Sequence, residues 1–222
     1  MTFSALIFDM DGLLVDSEPV WHEVEVELIE SYGYVYSDEV RNMGIGMRVD
    51  EFAAILQRHY PKLGDSAAAI ESAITERLLS LPPERIKARP GADEIVRCAA
   101  DRRIPRAIAS SSSQIVIEHF VRLMGWAELI PNRYSAQFVA RGKPAPDIYL
   151  HAAQQLGLPP ERCLALEDSQ AGTVAAQAAG MTCFTVLDQS HSSLEDFAAV
   201  NGNIYSDLFE VMNEIETKGL FA

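Results

Sequence analysis

The chain reads as an α/β protein: a parallel-sheet core assembled from both ends of the chain, with an all-helical module inserted after the first strand. Three observations predict this. Short, fully apolar runs at Ala5-Leu6-Ile7-Phe8, Arg106-Ala107-Ile108-Ala109 and Cys163-Leu164-Ala165-Leu166 have the length and composition of buried strands. From Arg89 onward such runs alternate with helical periodicity, the pattern of βαβ units. Between Ser17 and Leu81, by contrast, only helical spacing occurs and no strand signal interrupts it.

The elements follow in order. After the first strand and its turn, Pro19 suits a first helical turn and Ser17 an N-cap. Trp21, Val24, Leu28 and Ile29 follow at helical spacing up to Gly33. Ser37 to Met43 reads as a second helix ending at Gly44. Phe52, Ile55, Leu56 and His59 mark a third, closed by Pro61. Ile70, Ile74, Leu78 and Leu81 mark a fourth, closed by Pro82-Pro83. Then come a helix from Gly91 to Arg102, the strand at 106–109, a helix from Ser113 to Met124, a helix from Asp147 to Leu156, and the strand at 163–166. A helix from Gln170 to Ala179, a strand from Met181 to Val186, a short strand at Ile204-Tyr205 and a closing helix from Leu208 to Ile215 complete the series. The expected division is a core of residues 1–17 and 87–222 and a helical module of residues 18–86.

Bulk composition narrows the function classes. At 222 residues and 48% hydrophobic content a packed core is expected. No apolar stretch nears the roughly 18 residues of a membrane span. A net charge of −14 opposes a nucleic-acid surface, which needs Lys and Arg in excess. Three cysteines and no evident secretory signal point to a reduced, cytoplasmic chain. An anionic partner would have to bind at a local positive spot or through a cation. With no exposed apolar repeat in view, a monomer is expected.

Each strand ends in residues suited to phosphate or metal chemistry, and in open α/β sheets ligands gather at the strands' carboxyl ends. Asp9 and Asp11, two apart, point the same way. Mutual repulsion would leave one ionised and nucleophilic and the other protonated, a general acid. Gly12 lets the chain turn after them. An acidic turn after a strand would show the same pattern. Glu167-Asp168 supplies hard oxygen ligands of the kind Mg2+ takes, although Asp168 or Ser169 equally suits a helix cap. Ser110 to Ser113 offer hydroxyls and helix-end amides to an anion, or simply a cap. Lys143, in Gly142-Lys143-Pro144, is a loop cation that can reach inward or stay solvated. Charge accounting favours the combination. Ionised Asp9, Glu167 and Asp168 balance Lys143 plus one Mg2+, with Asp11 protonated. Phosphoryl transfer depends on that kind of positioned charge.

These segments resemble the haloacid dehalogenase superfamily of phosphatases. The matching pieces are Phe8-Asp9-Met10-Asp11-Gly12-Leu13 with Asp16-Ser17-Glu18, Ile108-Ala109-Ser110, Lys143-Pro144-Ala145-Pro146-Asp147, and Leu166-Glu167-Asp168-Ser169-Gln170-Ala171-Gly172. The last two look especially like the β-phosphoglucomutase-like branch. The resemblance implies a Rossmann-like core with a small α-helical cap. It implies that Asp9 attacks phosphorus to form an aspartyl phosphate and that Asp11 serves as acid and then base. Ser110, with Ser111 and Gly12, would hold the phosphoryl group, and Lys143 would bridge Asp9 and phosphate. Asp9, the Asp11 backbone carbonyl, Glu167 and Asp168 would hold Mg2+. The cap should read the substrate, with Trp21, Met43, Met47 and Arg48 as candidates and Arg48 the one able to grip a second charge. Trp21 stands where a mutase of that branch would carry His, and Met43 near its Lys. A phosphatase acting on a small phosphorylated metabolite, plausibly a sugar phosphate, is therefore expected ahead of a phosphosugar mutase. A phospho-accepting receiver domain would be shorter and lack the helical insert.

Overall fold

The computed structural model describes residues 2–187, 197 and 203–221. Six strands form one parallel sheet: β1 (Ala5–Phe8), β2 (Arg106–Ser110), β3 (Asn132–Ser135), β4 (Cys163–Glu167), β5 (Thr182–Val186) and β6 (Asn203–Tyr205). Their spatial order is β3-β2-β1-β4-β5-β6. The order reverses at β1, which pairs with β2 on one side and β4 on the other. A crevice is expected at such a switch point, beyond the strands' carboxyl ends.

Alternation along β1 explains why the sheet is buried on both faces. Leu6 and Phe8 join one apolar cluster with Ile108, Phe120, Leu164 and Leu166. Ala5 and Ile7 join the opposite one with Ala109, Ile148, Ala165 and Cys183. The first face carries α5 (Ala92–Asp101), α6 (Gln114–Leu123) and α9 (Leu208–Thr217); the second carries α7 (Asp147–Gln155) and α8 (Gln170–Ala178).

Four helices lie between β1 and β2 in the chain: α1 (Glu18–Ser31), α2 (Asp38–Gly44), α3 (Val49–His59) and α4 (Ala67–Ser80). Val24, Leu28, Phe52, Leu56, Ile70, Ile74 and Leu78 turn inward and share one apolar cluster with the first sheet face. Ser37 and Ser66 cap α2 and α4 as acceptors for the amides of Val40 and Ala69. Among the described residues no helix is long and apolar enough to cross a membrane.

Two elements depart from the sequence reading. β3, at the sheet edge, has the sequence Asn-Arg-Tyr-Ser and carries no apolar run, so periodicity does not announce it. Ser17 precedes α1 as expected but makes no side-chain cap; its hydroxyl is used elsewhere.

Candidate active site

The strand ends bring together residues far apart in the chain. Asp9 follows β1, and its amide donates to the carbonyl of Leu166 on β4 at 2.9 Å. Ser110 ends β2, and Glu167 ends β4. Lys143, from the loop before α7, is buried between two carboxylates, 2.5 Å from Asp9 Oδ1 and 2.6 Å from Glu167 Oε1. Its ammonium also sits 5.2 Å from the ring centroid of Tyr149 on α7. The Tyr149 hydroxyl donates to the same Glu167 Oε1 at 2.6 Å. Glu167 Oε2 accepts from the amides of Asp168 and Ser169 and from the Ser169 hydroxyl.

Three buried carboxylates around one ammonium make a charge-dense centre. Burial is the main force raising the Asp9 carboxyl well above its usual range; Lys143 opposes it, while Glu167 and Asp11 add to it. Asp168 is raised likewise, first by burial and then by Asp9 and Glu167. Burial pulls the Lys143 ammonium down, but Asp9 and Glu167 outweigh it and hold the group protonated.

The donor set fits a hard divalent cation. One oxygen each from Asp9, Glu167 and Asp168 lies within 4.8 Å of the others. Asp168 Oδ1 is buried without a hydrogen-bond partner. Ser169, not Asp168, caps α8, accepting from the amide of Gly172 at 3.0 Å, so the Asp168 carboxylate stays available. Two glycines make room. Gly12 has φ +79°, and a Cβ there would overlap the Asp168 carboxylate. A Cβ at Gly172 would overlap that of Glu167. Oxygen ligands with space for retained waters suit Mg2+.

Asp11 is the hub of a second network. Its Oδ1 accepts from the Ser17 hydroxyl at 2.9 Å and from Trp21 Nε1 at 3.0 Å. Its Oδ2 faces the hydroxyls of Ser112 at 2.8 Å and Ser110 at 3.1 Å. Trp21 Nε1 can only donate. Oδ1 is thus an acceptor, and Oδ2 accepts from the two serine hydroxyls.

Above these groups lies a cleft with about 810 Å3 of open space. The sheet edge contributes Asp9, Asp11, Ser111, Ser112, Lys143 and Asp168 to its lining. The helical segment contributes Glu18, Trp21, His22, Glu25, Arg41 and Met47, among others. The Ser111 hydroxyl donates to the Gly46 carbonyl at 2.9 Å, fastening the α2–α3 loop over the serine run.

The structure corrects part of the sequence reading. Asp9, Asp11, Lys143, Glu167 and Asp168 converge as expected, and Ser111, Trp21 and Met47 reach the cleft. Ser110 is fully buried beneath it, with its hydroxyl on Asp11 and accepting from the Ser112 amide. Met43 is 40% exposed and turned away. Arg48 does not face the cleft. Asp50 takes its guanidinium through two nitrogens, at 2.9 and 2.5 Å, Glu51 stands 3.9 Å away, and its remaining N–H donates to the Val139 carbonyl at 3.1 Å. Two acidic residues in the first turn of α3 thus capture it, and it fastens that helix to the core. The cleft's arginine is Arg41, on α2. Sequence reading also passed over Tyr149, Glu25 and His22. Tyr149 stood beside a recognised motif; nothing in the helical pattern singles out Glu25 or His22.

A family model for haloacid dehalogenase-like hydrolases matches residues 3–180. Hexitol phosphatase B of Escherichia coli strain K12 is 33% identical over 184 residues, covering 82% of each chain. The phosphorylated carbohydrates phosphatase of Thermotoga maritima is 31% identical over 177 residues, covering 80% of this chain and 82% of that one. The crystal structure of CbbY from Rhodobacter sphaeroides in complex with phosphate superimposes with a TM-score of 0.82 at 30% identity, covering 95% of this chain and 96% of the other.

Proposed function

We infer the activity from one premise: the chain belongs to the haloacid dehalogenase-like hydrolase family. We propose that it is a Mg2+-dependent phosphatase that hydrolyses small phosphorylated metabolites, sugar phosphates or their alcohols, through a phosphoryl group carried transiently on Asp9. The observation that carries this reading is the Asp9 carboxylate at the cleft floor, held 2.5 Å from the buried ammonium of Lys143.

Each residue's chemistry follows from its place. A bound phosphate monoester would meet Asp9 in line with its leaving oxygen. An Asp9 oxygen forms a bond to phosphorus as the ester P–O bond breaks, and the Asp11 proton passes to the departing alkoxide. Asp11, now ionised, takes a proton from water as that water attacks the acyl phosphate. Inorganic phosphate leaves and Asp9 is regenerated. Lys143 neutralises Asp9 before attack and a phosphoryl oxygen during it, with Ser111 and Ser112 lining the same floor. Asp9, the Asp11 carbonyl, Glu167 and Asp168 would hold the cation, which when bound offsets the charge developing on phosphoryl oxygens. The helical segment of residues 18–86 would act as a cap over the core of residues 1–17 and 87–222, excluding water from the reacting centre. Within these bounds residues 1, 188–196, 198–202 and 222 lie outside the described residues.

Hydrolysis is preferred to phosphosugar transfer because the two curated relatives above are named as phosphatases, and because Trp21 spends its N–H on the acid-base residue Asp11. We place the protein in the cytoplasm as a monomer, on its free cysteines and its motif content. The test is phosphate release from phenyl phosphate and from a hexitol monophosphate with Mg2+. Wild type should turn over both, and Asp9→Asn should lose on the order of 10^4-fold or more. Undiminished turnover by Asp9→Asn removes the nucleophile from this reading.

A further inference from the structure

The cleft wall supplied by the helical segment has its own charge pattern, which the hydrolytic chemistry does not use. Glu25, on α1, is 8% exposed and lines the cleft. Its Oε2 accepts from the Tyr36 hydroxyl at 2.7 Å. No hydrogen bond from a described residue reaches its Oε1, and that oxygen is not sealed in, since Glu25 lines the cleft.

Tyr36 is itself well fixed. It stacks on His22 at 5.9 Å and 28°, and meets Tyr60 edge-on at 6.3 Å. The Tyr60 hydroxyl in turn accepts from the amide of Ser37 at 3.1 Å. An aromatic block thus aims Glu25 without filling the cleft. Two more charged groups of the lining act on Glu25: Glu18, which repels it, and Arg41, which attracts it. Among the described residues of this wall Arg41 is the permanent cation, with Glu18, Glu25 and the titratable His22 beside it. Such a wall accepts hydrogen bonds and repels a phosphate dianion.

We propose that Glu25 is a specificity-determining residue: its open oxygen accepts hydrogen bonds from substrate hydroxyls, and its charge selects phosphate monoesters with an uncharged, polyhydroxylated remote end over bisphosphates. This rests on the phosphatase reading above and sharpens it. Asp9 and Glu25 line the same cleft, so a substrate whose phosphate meets Asp9 would extend toward this wall. Tyr36 is a positioning residue, holding one oxygen of Glu25 so that the other faces the substrate.

The experiment compares, at about pH 8.5, where the Glu25 carboxyl is ionised, kcat/KM for a hexitol monophosphate, a hexose bisphosphate and phenyl phosphate in wild type, Glu25→Gln and Tyr36→Phe. Wild type should favour the hexitol monophosphate over the bisphosphate by roughly tenfold or more. Glu25→Gln should shrink that ratio by about tenfold, chiefly through KM, and change phenyl phosphate by a smaller factor, because that ester has no hydroxyls to read. Tyr36→Phe should move the ratio the same way by a few-fold. It carries the test should Glu25→Gln fail to fold. A wild-type preference for the bisphosphate overturns the proposal and makes Arg41 a second phosphate grip. Equal effects of both variants on all three substrates overturn it as well. Turnover of phenyl phosphate without the hexitol preference defeats this inference alone, whereas no turnover of any ester defeats the phosphatase reading with it.

Discussion

The strand-end cluster and the helical wall of the cleft are both acidic and both buried, yet they handle charge in opposite ways. Around Lys143, Asp9 and Glu167 are tied to one ammonium and Glu167 has both oxygens engaged, while Asp168 Oδ1 is buried without a partner. On the wall, Glu25 has a single neutral donor, Tyr36, and an open oxygen. A carboxylate locked to a buried cation cannot adapt to different ligands without losing the centre. A carboxylate held at one oxygen can change partners. In the roles proposed above, chemistry belongs to the first arrangement and discrimination to the second.

Removing Lys143 breaks the first region most severely. Lys143→Ala leaves three buried carboxylates without a counter-charge and should cost about 3–5 kcal/mol of stability. Thermal melts with and without Mg2+ measure it. A divalent cation should raise the melting temperature of the variant more than that of wild type. An unchanged melting temperature in the variant would show that the cluster is not held by this ion pair.

Taking the cation away is the next largest perturbation. Chelation should abolish turnover, and Asp168→Asn should weaken apparent Mg2+ binding by about 10–100-fold. Stabilisation of the folded chain by added Mg2+ reports the binding independently of turnover. Equal stabilisation of wild type and Asp168→Asn would remove Asp168 from the ligand set.

The smallest expected effect belongs to the wall and reads its charge directly. Burial foremost raises the Glu25 carboxyl from its ordinary 4.5 to about 7, with Tyr36 and Arg41 opposing the rise and Glu18 reinforcing it. The folded chain therefore holds a proton that the unfolded chain has already released. The stability this confers is full below about pH 4.5 and is lost as the pH rises through about 7. Glu25→Gln should remove that loss, so relative to wild type it should gain about 1–3 kcal/mol between pH 5 and pH 8. Parallel pH profiles of the two melting temperatures would place Glu25 in a solvated setting.

How much was legible beforehand divides along the same line. Asp9, Asp11, Glu167 and Asp168 close apolar strand runs, so their place at the sheet's carboxyl edge follows from the runs alone. Lys143 is legible only through the motif around it, since nothing local distinguishes an inward lysine from a solvated one. Arg48 misled because its charge was visible and its competitors were not weighed: Asp50 and Glu51, two and three residues away, take the guanidinium first. Arg41 and Glu25 stand on helices whose polar positions all look alike in one dimension. β3 was missed because an edge strand of polar residues owes its existence to the hydrogen bonds β2 offers it.

By itself the sequence determined the layered core, the helical insertion and which carboxylates gather at the strand ends. Those features are written in periodicity, in apolar runs and in the residues that end them, all of them local signals. Tertiary structure alone decided which hydroxyls serve Asp11, which oxygen of Asp168 stays unpaired, and that Arg41 rather than Arg48 reaches the cleft. These depend on competition between partners brought together through space. Electrostatic and hydrogen-bond pairing within about 3 Å is settled by packing, and no pattern along the chain encodes it.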